Sequence, residues 1–336
     1  MVGEGVMDPL GEDFTQITYV YLKKKLKKLL FHKKMCIFAP NKTNITLMIW
    51  QFIINGLITG ILYSLLAIGF ALVYNTTRIF HIAAAGIYVF AAYILWWTHL
   101  RLNIPLLYGA IISIVATIIL SCLIEWSVYR PLKKRGASLN LMMIASIGVM
   151  TILVNAIALA FGHEAKFVNT VMQQTYELGT IIITTPQLFQ TFVGAPILAV
   201  SVLLLKYTTY GRRLRAISED ETLYCTLGYN VKWTRYFVFA VSGCFIAIAS
   251  CLSAYDVGIG PDVGMNFLIN AMVAMMIGGM GRIAPCIAGG LLLGVLQSLA
   301  VSQIAASWQN AVTFAILLIL LFIRPQGLMG YKKRII

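Results

Sequence analysis

The chain has 336 residues, 60% of them hydrophobic and only 11% charged. Soluble domains carry about 25% charged residues, so one water-surrounded core is excluded and lipid is the solvent for most of the chain. The net charge of +14 sits largely in basic loops between apolar spans, the positive-inside pattern of membrane proteins, and does not call for nucleic acid.

Residues 1–44 hold Lys23, Lys24, Lys25, Lys27, Lys28, Lys33 and Lys34 and no apolar run of spanning length, so no signal peptide is expected. Leu22, Leu26, Leu29 and Leu30 lie at helical spacing among the lysines. The segment is either a basic surface helix on an anionic membrane or an upstream extension that is flexible or not native. Apolar spans are predicted at 47–74, 79–98, 104–129, 139–161, 186–207, 236–255, 267–280, 283–301 and 308–323. Backbone groups in lipid need internal partners, so these runs are helices. Barrel strands would alternate apolar with polar, which these runs do not. The expected fold is an all-α polytopic transmembrane bundle of about eight or nine spans. The 267–280 run is short for a crossing and is read as re-entrant or half-spanning. The domains are the 1–44 extension, a 45–330 transmembrane domain and a basic cytoplasmic tail at 331–336.

Charge sets the orientation. With the loop Arg130-Pro131-Leu132-Lys133-Lys134-Arg135 in the cytosol, 16 of the Lys and Arg from residue 45 onward fall inside, and Arg101 and Lys166 fall outside. Glu164, Glu177, Asp256 and Asp262 also fall outside. The lysine-rich head opposes this assignment. Either the natural chain begins near Met48, or one hairpin does not cross, or the head is carried across against the rule. Residues 77–86 weakly echo 281–290. A parallel duplication and chance likeness between apolar segments account for that equally well. The cysteines Cys36, Cys122, Cys225, Cys244, Cys251 and Cys286 have no metal-site or disulfide spacing and read as small apolar packing residues.

Between two spans lies Gly211-Arg212-Arg213-Leu214-Arg215-Ala216-Ile217-Ser218-Glu219-Asp220-Glu221, running on to Gly228. Leu214, Ile217, Tyr224 and Leu227 form a helical stripe, and Gly211 and Gly228 are read as chain-reversal points at its ends. Lipid-surface helices are mostly basic, whereas this one carries three adjacent acids, so a protein partner's groove is the preferred destination of the stripe.

Gly-Arg-x-x-Arg-Ala-x-x-Glu-Asp, with Leu227-Gly228, resembles the coupling loop of branched-chain amino acid ABC transporter permeases. The likeness continues through Asn55-Gly56-Leu57, residues 63–69, Glu125 with Tyr129-Arg130-Pro131-Leu132, Pro261 and Gly264, Gly278-Gly279-Met280-Gly281, Gly289-Gly290 and Arg324-Pro325-Gln326-Gly327. That resemblance implies a multi-pass inner-membrane permease paired with a second permease subunit, identical or paralogous. It implies two cytosolic ATPase subunits, an extracytoplasmic binding protein, and aliphatic amino acids or similar small solutes as cargo, with no cofactor in this chain. It assigns coupling to Gly211, Arg212, Arg215, Ala216, Glu219, Asp220, Leu227 and Gly228. Glu219 and Asp220 are taken as docking contacts, helped by Arg212 and Arg215. Two departures stand out. His81-Ile82-Ala83-Ala84-Ala85 replaces the family's usual Asn-Phe-Ala-His/Gln-Gly, so a polar side chain near the pathway is missing, and bulky Tyr224 stands where the family has a small residue.

Gly56/Gly60 and Gly290/Gly294 are spaced for close helix packing, and Gly278, Gly279 and Gly281 interrupt an apolar run. These glycines are assigned to helix packing or to the pathway. Glu125, near a span end, is paired in expectation with Arg130. His81 and His99, at span ends, are read as interfacial packing, and Asp256 and Asp262 as ordinary exposed outer-loop acids, with a contact to a binding protein as the lesser alternative. No phosphate-binding loop, zinc motif or nucleophile elbow occurs, so the chain is not read as an enzyme. An ion-driven carrier would need ionisable groups inside the bundle. A membrane-embedded enzyme would need clustered acids or histidines at one face.

Overall fold

The computed structural model describes residues 42–169, 174–178, 181–279, 284–302, 308–324 and 327–328. Most of the basic extension, Gly281 and the 331–336 tail lie outside the described residues. The chain divides into two compact units, Met1–Ile49 and Trp50–Ile336, and the helix packing, clefts and 209–228 loop all belong to the second.

In chain order the elements are α1 (Lys42–Thr77), α2 (Ala84–Trp96), α3 (Leu106–Ile124), α4 (Arg130–Lys134) and α5 (Leu139–Phe161). A hairpin of β1 (Thr175–Leu178) and β2 (Ile181–Thr184) precedes α6 (Thr185–Tyr207), α7 (Thr209–Glu219), α8 (Glu221–Thr226) and α9 (Val231–Asp256). The chain continues through α10 (Val263–Gly278), α11 (Ala284–Val301) and α12 (Gln309–Ile323). π-helical turns at Trp97–Arg101 and Glu125–Tyr129 extend α2 and join α3 to α4. Among the described residues, five helices are long and apolar enough to cross a membrane: Met48–Thr77, Leu106–Lys134, Leu139–Phe161, Thr185–Tyr207 and Val231–Asp256. α10, α11 and α12 are shorter and apolar. The protein is an all-α polytopic membrane bundle.

The second predicted span starts late. α1 ends at Arg78, whose φ of 58° is left-handed and whose amide donates to Tyr74 O at 2.8 Å, a helix-terminating turn. Helix resumes only at Ala84. α2 is apolar all round, which buries a helix on every side; it packs against α3, α5, α9 and α10. Hydroxyls pin the packed helices together, the usual polar glue where lipid offers no competing hydrogen bonds. Ser113 Oγ donates to Ala91 O at 2.6 Å, Ser250 Oγ to Tyr88 O at 2.6 Å, and Ser242 Oγ to Gly69 O at 2.8 Å.

α1 and α11 cross backbone to backbone. A Cβ on Gly60 would lie 2.9 Å from Leu291 Cα, and one on Gly294 would lie 2.4 Å from Gly56 O. Gly56 and Gly290 complete the seam, each meeting backbone of the facing helix within 2.7 Å of such a Cβ. α10 has 16 residues, a rise of about 24 Å. That is less than a hydrocarbon core of about 30 Å, in keeping with the short run read from the sequence, although α10 begins earlier, at Val263.

The hairpin was not expected. Its strands pair antiparallel from Thr175↔Thr184 to Leu178↔Ile181. The side-chain amide of Gln51 acts as a further strand residue, donating to Ile182 O at 2.8 Å and accepting from Ile182 N at 2.9 Å. The β-branched Ile181-Ile182-Ile183-Thr184 was its signal.

Candidate functional site

Two features sit at opposite ends of α6 and α9. At the first, the start of α6 meets the end of α9, and the starts of α10 and α12 face the middle of α1 around a cleft of about 470 Å³. Tyr63, Gln190, Asp256, Asn266, Asn270 and Gln309 line it. Gln190 Nε2 donates to Leu252 O at 3.1 Å and to Asp256 Oδ2 at 3.2 Å, so α6 holds the carboxylate at the end of α9. Behind the wall, buried Thr313 Oγ1 donates to Asn270 Oδ1 at 3.1 Å and accepts from Gln297 Nε2 at 2.7 Å. Asn310 Nδ2 donates to Asn266 Oδ1 at 3.0 Å, and Gln309 Nε2 to Tyr63 Oη at 3.4 Å. Amides fixed this way present few, oriented polar groups. The sequence reading missed this cluster because single Gln and Asn residues inside apolar runs carry no motif.

The cleft ends on aromatic rings. Phe267 stacks on Tyr88 at 4.8 Å and meets Tyr63 edge-on at 6.2 Å. Beyond it lies a small apolar void lined in part by Ala84, Ala85, Phe70 and Ile246. The Ala84-Ala85 departure therefore leaves the floor of the cleft apolar. Gly56, Gly60, Gly278, Gly279, Gly290 and Gly294 do not line the cleft. Gly278 abuts Pro285 O, 2.4 Å from where its Cβ would be.

At the other end the 209–228 loop departs from the predicted single helix. α7 stops at Glu219, Asp220 is extended with φ −150° and ψ 114°, and α8 begins at Glu221. Asp220 is the N-cap of α8: Oδ1 accepts from Thr222 N at 2.8 Å, from Leu223 N at 3.2 Å and from Thr222 Oγ1. These bonds, the Thr222 hydroxyl first, hold its carboxyl below the usual aspartate range. Asp220, expected as a contact to a partner, thus also caps α8 through Oδ1. Gly211 is not a reversal point but lies inside α7, where a Cβ would sit 2.1 Å from Leu205 O. Gly228, at φ 81°, does reverse the chain.

The stripe also turns inward. Leu214, Ile217 and Tyr224 are buried in this chain's own body, while Leu227 remains exposed. Tyr224 Oη pairs with Thr234 Oγ1 at 3.0 Å, and its ring stacks on Tyr229 at 5.0 Å. It fills an internal site, so no partner groove need accommodate it. Arg215 donates to Leu205 O at 2.6 Å and Lys206 O at 3.3 Å, which caps the end of α6. Arg78 Nη2 donates to Ser218 O at 2.8 Å, and Lys133 pairs with Glu221. The loop is therefore tied to α6, to the turn after α1, to α4 and to α9. Its exposed side carries Arg212, Ala216 and Glu219 at helical spacing, then Leu223 and Leu227.

Glu125 pairs with Arg235 and not with Arg130: Arg235 Nε donates to Oε1 at 2.7 Å and Nη2 to Oε2 at 3.1 Å. The bidentate geometry won because Arg235, one face of α9, is buried beside α3, whereas Arg130 Nη1 reaches Tyr236 Oη at 3.0 Å. His81 is fully buried; its Nδ1 contacts Tyr129 Oη at 2.9 Å, which donates to Ser146 Oγ at 2.7 Å. His99 Nδ1 bonds Ile104 O at 2.9 Å in the turn after α2. Cys251 and Cys286 are buried, but Cys225 is exposed on α8 and is no packing residue.

A membrane bundle with a polar cleft at one end and a braced amphipathic loop at the other has the architecture of a permease. The model of the family described as branched-chain amino acid transport system / permease component matches residues 52–321, and the chain belongs to that family. It is 29% identical over 294 residues to the high-affinity branched-chain amino acid transport system permease protein BraD of Pseudomonas aeruginosa, covering 83% of this chain and 95% of that one. It is 26% identical over 296 residues to the corresponding LivH of Escherichia coli, with the same coverage. To the probable LivH of Methanocaldococcus jannaschii it is 27% identical over 303 residues, covering 82% of this chain and 92% of that one.

Proposed function

We propose that this chain is the inner-membrane permease subunit of an ATP-driven importer of branched-chain amino acids, working with a second permease subunit, an extracytoplasmic binding protein and two cytosolic ATPase subunits that hydrolyse the ATP. The observation that carries the reading is the α7–α8 loop, tethered at four points to the bundle while one charged and apolar side stays exposed. A push on that side is transmitted to α6 and α9, whose far ends build the polar cleft. Arg212, Ala216, Glu219, Leu223 and Leu227 form the docking side. Gly211, Arg215, Asp220 and Gly228 shape and brace the loop that presents it. At the cleft, Asp256 offers a carboxylate to an ammonium group and the amides offer donors to a carboxylate, with Phe267 and Tyr63 against an aliphatic side chain.

The test is leucine uptake and ATPase co-purification in the assembled transporter carrying Glu219→Arg with Leu227→Asp. The expected result is loss of the ATPase subunits and a more than tenfold fall in uptake, with the permease still folded. Full uptake with the ATPase still attached would refute the docking side.

A further inference from the structure

A second cavity, of about 250 Å³, opens between the foot of α3, α4 and the first turns of α9. Its walls carry Arg130, Lys133, Lys134, Lys232 and Arg235 against only two acids, Glu125 and Glu221. Both acids are engaged, Glu125 by Arg235 and Glu221 by Lys133. Arg130, Lys134 and Lys232 have no carboxylate within ion-pair distance among the described residues. Arg130 Nε is buried and bonds to no acceptor, which costs free energy comparable to a lost hydrogen bond. Like charges gathered in one concavity repel unless an anion sits among them, and phosphate oxygens match both the guanidinium fork and the lysine ammonium.

The surroundings say where that anion comes from. Ile119 and Leu123 on α3 and Trp126 in the π-helical turn that follows are exposed at helical spacing and lead down to the cavity wall at Glu125. Trp233, next to Lys232, is also exposed. An apolar stripe ending in tryptophans beside lysines marks the membrane–water boundary. We propose that this cavity binds the phosphate group of an anionic lipid, whose acyl chain lies along the Ile119–Leu123–Trp126 stripe. Because the Lys133–Glu221 pair ties one wall to α8, the bound headgroup braces the foot of the loop. The proposal rests on the membrane-spanning fold and is independent of ATPase coupling.

The test uses the purified full-length chain in detergent, titrated with phosphatidylglycerol, phosphatidylcholine or inorganic phosphate, and read by native mass spectrometry and thermal melting. The expected result is one tightly held phosphatidylglycerol that raises Tm, with phosphatidylcholine held at least tenfold more weakly because its ammonium meets a basic wall. Arg130→Gln/Lys134→Gln/Lys232→Gln lowers phosphatidylglycerol affinity tenfold or more. Lys134→Arg/Lys232→Arg preserves it, as does Arg101→Gln at the far end of α2. Should the triple variant not fold, the exposed single change Lys134→Gln reads the same loss at smaller size. Equal binding of the two lipids, or no loss in either glutamine variant, overturns the proposal. Displacement of the lipid by inorganic phosphate that reproduces the whole Tm rise overturns the lipid as the source.

Discussion

At the residue scale, Arg78 combines two roles that substitution can separate. Its backbone is in the left-handed region, where glycine is at ease, and its side chain reaches Ser218 on α7. Arg78→Gly is expected to leave Tm unchanged or slightly raised while reducing leucine uptake severalfold; uptake equal to the parent would show that this tether carries no motion. Glu125 and Arg235 are a buried pair with one partner on each of two helices. Removing one partner strands the other charge, and Glu125→Gln is expected to cost about 3–5 kcal/mol, read as a large drop in Tm in detergent. Glu125→Leu with Arg235→Met is expected to recover most of that loss, because the desolvation cost of both charges disappears with them. Asp220 makes a pH prediction. Its carboxyl is held below the usual aspartate value when folded, so its stabilisation of α8 is complete above the unfolded value and fades as pH falls through the folded one. Amide exchange at residues 221–226, corrected for its intrinsic pH dependence, should lose protection below about pH 4. Asp220→Asn, which still caps, should remove that pH step.

At the element scale, the 209–228 loop was legible as amphipathic but not as bent. The Leu214, Ile217 and Tyr224 spacing located the apolar side correctly, yet periodicity says only that a side is apolar and not whose protein covers it. Here the chain covers it with its own α6 and α9. The break at Asp220 was in plain view as a capping aspartate preceding Glu221 and Thr222, but it was read as a charge. The glycine spacing in α1 and α11 located the crossing because only missing side chains allow backbones that close. Gly60→Val would drive a side chain into Leu291 backbone. It is expected to destabilise the bundle by about 1–3 kcal/mol, seen as a lower Tm, whereas Gly148→Ala, in open space on α5, should be silent.

At the scale of the whole molecule, apolar run length gave the helical class and most boundaries, since lipid leaves the backbone no other choice. It failed at residues 78–83, where a left-handed turn interrupts an apolar run, and at the hairpin, where short β-branched stretches carry little hydropathy signal. The polar cleft was illegible for a different reason: Gln190, Asn270 and Gln309, which line it, come from three helices and converge only in three dimensions. The account depends on the α7–α8 loop facing the cytosol and receiving the ATPase. Cys225, exposed on α8, reports both conditions when the other cysteines are replaced. Treated with a membrane-impermeant maleimide, this single-cysteine chain should react in inside-out vesicles, fail to react in right-side-out vesicles, and lose reactivity when ATPase subunits are bound. Labelling from the outer side of sealed right-side-out vesicles would contradict the account.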